Sequence, residues 1–262
     1  MISSALRAMT ILEVVGHADE PIGVTDIARR LGLPPGTIFR SLDALEQAGY
    51  ISRFQSSSRY VLGSAVNQLR QSLLARFKIR DVSLPYLRQL AFATGETVSL
   101  IMMVGWYGLR LAAAPGTSEV TSSPPIGQLN LLQRTCGGRA ILAFLPESKL
   151  QDYRRWSRRT GAATYPKTLS DDLRKARRQG FAVEVTAFAS DRASVAFPIH
   201  GEATPIAAIA IEGPVLQLDN PAGIEQWLQI VQSLQRVIDV APKDFAGPFA
   251  HLDPGSIALS PT

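Results

Sequence analysis

"IGVTDIARRLGLPPGTIFRSLDALEQAGYISR" (residues 22–53) sets two short amphipathic runs on either side of a four-residue break. In the first run Val24, Ile27, Ala28 and Leu31 recur at a helical period, with Thr25 and Asp26 near its start. Gly32 stands just past its end, where the chain leaves a helix most easily through a glycine. "LPPG" (33–36) supplies the turn: Leu33 is an apolar plug, and Pro34–Pro35 suit the first turn of a new helix, which needs no intrahelical N–H donors. That helix is expected from about Gly36 to Ala48, burying Ile38, Leu42 and Leu45 and ending at Gly49. Upstream, "SALRAMTILEVVG" (4–16) predicts a further helix with Leu6, Met9, Leu12 and Val15 on its buried face. Three such helices, the last two joined by a tight turn, read as a helix-turn-helix. Ala28 is small because the last two helices cross closely there.

The outer face of the third helix presents Gly36, Thr37, Arg40, Ser41 and Ala44. A guanidinium there can bind guanine bidentately or meet a phosphate, and short hydroxyl side chains can contact either. Thr25, near the start of the preceding helix, joins this candidate DNA-binding set. "GYISRFQSSSRYVLG" (49–63) reads as strand, polar turn, strand: a wing whose Arg53 and Arg59 are placed for backbone phosphates. Charge agrees. The chain of 262 residues has a net charge of +5, of which residues 1–80 hold +4, from 10 Lys/Arg against 6 Asp/Glu. Such a bias suits a polyanionic partner. A polar face that meets only solvent or another protein is the alternative reading, making the chain a ligand-sensing adaptor.

Beyond the wing, "SAVNQLRQSLLARFKIRDVSLPYLRQLAFATG" (64–95) keeps a helical period. Val66, Leu69, Leu73, Phe77 and Ile79 can face a partner, with a break expected near Ile79–Asp81 and a new helix from about Val82 to Thr94. The period then switches to strands at Thr97–Val104 and Gly108–Ala114. Helices follow at about Cys136–Phe144, after Pro146 and in "SDDLRKARRQ" (170–179). Further strands are expected at Phe181–Val185 and on either side of a Gly201–Thr204 turn. A last helix, Pro221–Ile238, would bury Ile224, Leu228, Val231, Leu234 and Val237. Antiparallel strands with helices on one face or at the ends make an α+β domain. The proline-rich segment 241–262 reads as an irregular tail.

In order, "LRAMTILEVV" (6–15), residues 21–53 and "SRYVLG" (58–63) closely resemble the N-terminal domain of IclR-type transcriptional regulators. "TGETVSL" (94–100), "GGRAILAFLP" (137–146), "QGFAV" (179–183) and "SVAFPI" (194–199) match the same family in the second half. The resemblance implies a winged helix-turn-helix (1–63), a linker helix (64–81) and a GAF-like effector-binding domain with an antiparallel sheet (82–240). It implies double-stranded operator DNA and a small organic effector, often an aromatic or aliphatic acid, as partners. Assembly as a homodimer or homotetramer is also implied, with the 66–79 face and helix 4–16 as contacts. Two departures stand out: Pro35 and Gly36 replace the family's usual lysine and serine, and Phe39 its histidine or tyrosine. Matched to the family, Thr135, Cys136 and Gly137 offer small groups and helix N-terminal N–H donors to a ligand. Asp191, Ala193 and Ser194 lie opposite, and Trp106 is a wall candidate beside Met102 and Met103. Ala187 and Ala193 make the pocket less polar, and Asp191 disfavours a strongly anionic ligand.

The composition excludes several classes. A single cysteine excludes an intramolecular disulfide and Cys-based zinc, and His17, His200 and His251 have no metal-site spacing. No cofactor is implied. No apolar stretch is long enough to span a bilayer, the start reads as mature protein, and a cytoplasmic location is expected. A Cys136–His200 pair is the remote enzymatic alternative, and the chain is read as not an enzyme.

Overall fold

A computed structural model describes residues 4–55, 57–117, 125–160, 168–185, 192–202, 204–214 and 221–240. The chain divides into two compact units between Ala75 and Arg76.

In the first unit, α1 (Ser4–Gly16), α2 (Val24–Leu31) and α3 (Pro35–Gln47) surround one core. Ile11, Ile27, Ile38 and Leu42 are fully buried in it, with Val15, Ala28, Leu45 and Tyr60 beside them. Gly32 takes φ 63° and donates its N–H to Ala28 O, closing α2 as its position predicts. Pro35 opens α3. The face of α1 differs from expectation. Ile11 and Val15 are its buried pair, whereas Leu6 and Met9 are 57% and 58% exposed. In an apolar-rich helix several stripes share a 3.6 period, and packing against α3, not periodicity, selects among them. The wing strands β2 (Ile51–Arg53) and β3 (Arg59–Leu62) pair as expected, and a short β1 (Ile22–Gly23) adds to the far side of β3. Gly63 is required: a Cβ there would lie 2.2 Å from Gly49 O. α4 (Ser64–Leu74) follows and buries none of its residues.

The second unit begins with α5 (Lys78–Thr94), so the helix break falls before Lys78 and not at 79–81. Phe77 and Ile79 are fully buried, which removes them from the expected partner-facing stripe. Next come β4 (Thr97–Val104), β5 (Tyr107–Ala114), β6 (Leu129–Leu131) and a 3-10 turn at Leu132–Arg134. Helices α6 (Cys136–Phe144), α7 (Glu147–Thr160) and α8 (Leu169–Gln179) follow. The chain continues through β7 (Ala182–Val185), β8 (Arg192–His200), β9 (Pro205–Pro214) and α9 (Pro221–Asp239). The six strands form one antiparallel sheet in the order β6-β5-β4-β9-β8-β7.

Alternation along the strands sorts this sheet into two faces. Val98, Leu100, Val195, Phe197, Ile209 and Ile211 share one, and α5 and α9 pack on each other and on these strands. Ile101, Ala182, Ala196, Ala208 and Ala210 share the other with α6. The alanines matter, since they let α6 lie close to the sheet. α9 buries Trp227, Val231, Leu234 and Ile238, while Val237 is exposed, so its inner face is turned slightly from the expected one.

Candidate functional sites

α3 separates its faces sharply. Ile38 and Leu42 are fully buried, while Gly36, Phe39, Arg40, Asp43 and Ala44 are exposed. Thr37 and Ser41 are half-buried, and Ser41 Oγ donates to Thr37 O at 3.4 Å. Arg40 makes no hydrogen bond or ion pair with the described residues. Gly36 faces open space, where an added Cβ would touch nothing within 4 Å. Thr25 is exposed in the first turn of α2. Both wing arginines are exposed but engaged. Arg59 Nη1 donates to Pro21 O at 2.9 Å. Arg53 Nε pairs with Glu46 at 3.3 Å, with its guanidinium 5.6 Å from the centre of the Tyr60 ring. Sequence reading missed Arg30, which is exposed on the last turn of α2 and has no partner among the described residues. Its signal was the unpaired half of the "RR" at 29–30, since Arg29 is taken by Asp26 at 2.5 Å. Arg30, Arg40 and Arg59 are therefore the exposed arginines of these elements with no carboxylate partner among the described residues. A groove of about 340 Å³ beside Tyr60 is lined by Asp19 and Glu20, the wrong sign for a phosphate.

The second candidate site lies where α6 begins. Thr135 is its N-cap, and its hydroxyl accepts the Gly138 N–H at 3.1 Å. Gly137 and Gly138 are needed for close packing: a Cβ on Gly137 would lie 2.9 Å from Ile101, and one on Gly138 2.0 Å from Leu132 O. The Cys136 thiol donates to Ser194 O at 3.2 Å and lies 3.5 Å from Ala182 O, so α6 is tied to β7 and β8. Burial pushes this thiol well above its ordinary pKa; Glu184 and Glu212 push the same way and Arg139 opposes. It stays a neutral thiol, the wrong state for a nucleophile. The imagined histidine partner is far off. His200 packs on Phe144 at 5.6 Å, at the other end of α6, about 12 Å along the helix axis from Cys136.

Cys136 and Ser194 are thus brought together, with Gly137 pressed on β4. Ser194 is half-buried, and its hydroxyl has no hydrogen bond to the described residues. Trp106 lies in the core, edge-on to Tyr153 at 5.3 Å; the Tyr153 hydroxyl donates to Gln133 Oε1 at 3.1 Å. Asp191, Ala187 and the 241–262 tail fall outside the described residues.

Sequence reading missed a network of charges on the same face. Arg110, only 7% exposed, donates to the Ser99 hydroxyl and, at 2.9 Å, to Glu212 Oε1. Arg139 bridges Glu184 at 3.1 Å and Asp172 at 3.7 Å, and its Nε donates to Gln133 O at 3.0 Å. Burial raises the Glu184 carboxyl pKa; Arg139 opposes this, and Asp172 and Glu212 add to it. The available signal was a charge inside an apolar strand, as in "GLRLAAA" (108–114) and "IAIEGP" (209–214). No group of residues suited to a metal ion occurs among the described residues, and none of the described helices is long and apolar enough to cross a membrane.

Two family descriptions match the chain: "IclR helix-turn-helix domain" over residues 4–53 and "Bacterial transcriptional regulator IclR C-terminal" over residues 71–240. The glycerol operon regulatory protein of Streptomyces coelicolor is 29% identical over 224 residues, covering 83% of this chain and 87% of that protein. The crystal structure of the Thermotoga maritima IclR shares 26% identity at a TM-score of 0.71, covering 90% of this chain and 96% of that one. The fold is shared as well by an IclR homolog from Microbacterium hydrocarbonoxydans solved with 4-hydroxybenzoate. That structure is 23% identical at a TM-score of 0.72 and covers 93% of this chain and 99% of that one.

Proposed function

The chain belongs to the IclR family of bacterial transcriptional regulators, and we propose which of its residues carry DNA binding and effector response. It is a DNA-binding regulator whose operator affinity responds to a small effector, and it is not an enzyme. The N-terminal half of α3 enters the major groove, with Arg40 and Thr37 as base or phosphate contacts and Gly36 letting the helix end approach closely. Thr25, Ser41, Arg53 and Arg59 contact the backbone, the two arginines after leaving their internal partners. One observation carries this: Arg40 and Arg30 are exposed without counter-ions on a helix pair whose opposite face is fully buried. Fluorescence anisotropy against duplexes from upstream of its own gene tests it. Sequence-specific binding that weakens steeply with salt is expected; equal affinity for random DNA, with and without effectors, overturns it.

The effector is held in the second unit near Thr135, Cys136, Gly137 and Ser194, with Trp106 and Asp191 as outlying candidates. The free hydroxyl of Ser194 supports this placement. In a metabolite thermal-shift screen that includes 4-hydroxybenzoate, a stabilising compound is expected, and Ser194→Ala should reduce its shift. Residues 82–240 act as the effector domain and residues 64–81 connect it to the winged helix. The protein works as a homodimer or homotetramer, since a two-fold pair reads a palindrome that one helix cannot. Leu6, Met9 and Leu69, each more than half exposed, supply the apolar contact. A monomeric mass by light scattering at micromolar concentration would rule this out.

A further inference from the structure

The α6-facing side of the sheet holds a polar row. Glu184 on β7, Ser194 on β8, Glu212 on β9 and Thr97 on β4 are successive cross-strand partners. Partners directly opposite one another leave an antiparallel sheet on the same side. The neighbouring row on this face, Ala182, Ala196, Ala210 and Ser99, carries only small side chains. Its alanines lie in the core with Cys136, at the first residue of α6, and the Cys136 thiol reaches the Ser194 carbonyl in the polar row.

Each carboxylate in the row has one arginine, and both arginines are occupied. Arg110 spends one nitrogen on Ser99 and another on Glu212, and its side chain is 8% exposed against 22% for Glu212. Arg139 is divided among Glu184, Asp172 and Gln133 O. Glu184 also accepts the backbone N–H of Cys136, so among the described residues the groups left to meet a molecule at this end are the second oxygen of Glu212 and the hydroxyl of Ser194, which can accept. A separate observation points to a ligand. Thr97 is 4% exposed, and its hydroxyl has no hydrogen-bond partner among the described residues although it stands directly opposite Glu212. A buried hydroxyl without a partner is costly, and such groups in native proteins are nearly always satisfied.

We propose that the row Glu184–Ser194–Glu212–Thr97 is the polar end of the effector site, and that the effector offers it N–H or O–H donors (an amine, amide or hydroxyl) and not a carboxylate. The proposal rests on the small-effector reading above and adds its chemical class. A carboxylate placed here would be a third negative charge beside Glu184 and Glu212. Burial, ahead of any neighbouring charge, already raises the pKa of Glu184, so this end disfavours added negative charge. A donor satisfies the free oxygens and the Thr97 hydroxyl together.

Thermal-shift titrations of the full chain with matched amines, primary amides and carboxylates on propyl, benzyl and furfuryl skeletons test this. Amines and amides should stabilise the protein, and the carboxylates should need about tenfold more compound or fail. Thr97→Val removes a hydroxyl that bonds nothing, so the ligand-free Tm should hold or rise while amide binding weakens several-fold. Should that variant not fold, Ser194→Ala reads the same row. Carboxylates binding as well as amines and amides, or amide binding unchanged in these variants, overturns the donor assignment and leaves the effector reading standing. Silence from the whole panel and from the metabolite screen overturns both.

Discussion

Arg40 on α3 and Arg110 on β5 both sit within regular elements, yet the fold uses them in opposite ways. Arg40 is exposed and has no partner among the described residues. Arg110 is buried, bonded to Ser99 and Glu212 on two other strands. The first unit keeps positive charge available for another molecule. The second pairs its buried arginine with a carboxylate inside the sheet. An exposed charge acts on a partner at little cost to stability, whereas a buried one must be paired to be tolerated at all.

The largest expected effect breaks the buried pair. Arg110→Met leaves Glu212 with no cation and Ser99 with no donor, and should cost about 3–5 kcal/mol. Urea titration, read by the tryptophans of the second unit, measures it. The double variant Arg110→Met/Glu212→Leu should recover most of that loss, because apolar side chains of similar volume often replace a buried pair without penalty. A single variant within about 1 kcal/mol of wild type would mean that the charges are not coupled as the geometry implies.

Arg40→Ala should do the reverse. Stability should change by no more than about 0.5 kcal/mol, as for most exposed substitutions. If Arg40 reads a base, operator discrimination falls by about 1–3 kcal/mol; if it meets a phosphate, all duplexes weaken alike and the salt slope drops by about 1. Operator binding that survives unchanged would pass the role to Arg30 and remove the contrast between the two arginines.

The same contrast explains what was legible in the sequence. The first unit is built from near neighbours: Gly32 and Gly49 at helix ends, Pro35 at a helix start, and Ile38, Leu42 and Leu45 on one face. Such signals lie within a turn or two of what they control, and they located both helices and the wing. The α1 face and α9 rotation were misjudged because each helix carries more apolar residues than one stripe needs. The buried network was illegible for another reason. Arg110 and Glu212 lie 102 residues apart in sequence, and their meeting depends on β9 inserting between β4 and β8. Nothing local encodes that register. The Cys136–Ser194 bond, 58 residues apart, is of the same kind.

The smallest expected effect concerns the acidity of Glu184. Burial raises its folded-state pKa above the ordinary carboxylate value, with Arg139 opposing and Asp172 and Glu212 adding to the rise. Between the unfolded and the folded pKa, the native protein therefore holds more proton at this site than the unfolded chain. Stability from this group is full below the unfolded pKa and declines as pH rises through the folded one. This is opposite in sign to the usual salt-bridged carboxylate. Glu184→Gln removes the titration but keeps the shape, and Arg139 retains Asp172 and the Gln133 carbonyl as partners. The stability of the variant relative to wild type should therefore improve as pH rises from the unfolded carboxylate pKa upward, and should level off above the folded one. Paired urea titrations at closely spaced pH values across the mildly acidic range measure this. An advantage for wild type that grows with pH would show Arg139 outweighing burial, and Glu184 would then be an ordinary ion-pair partner, less distinct from the exposed charges of the first unit.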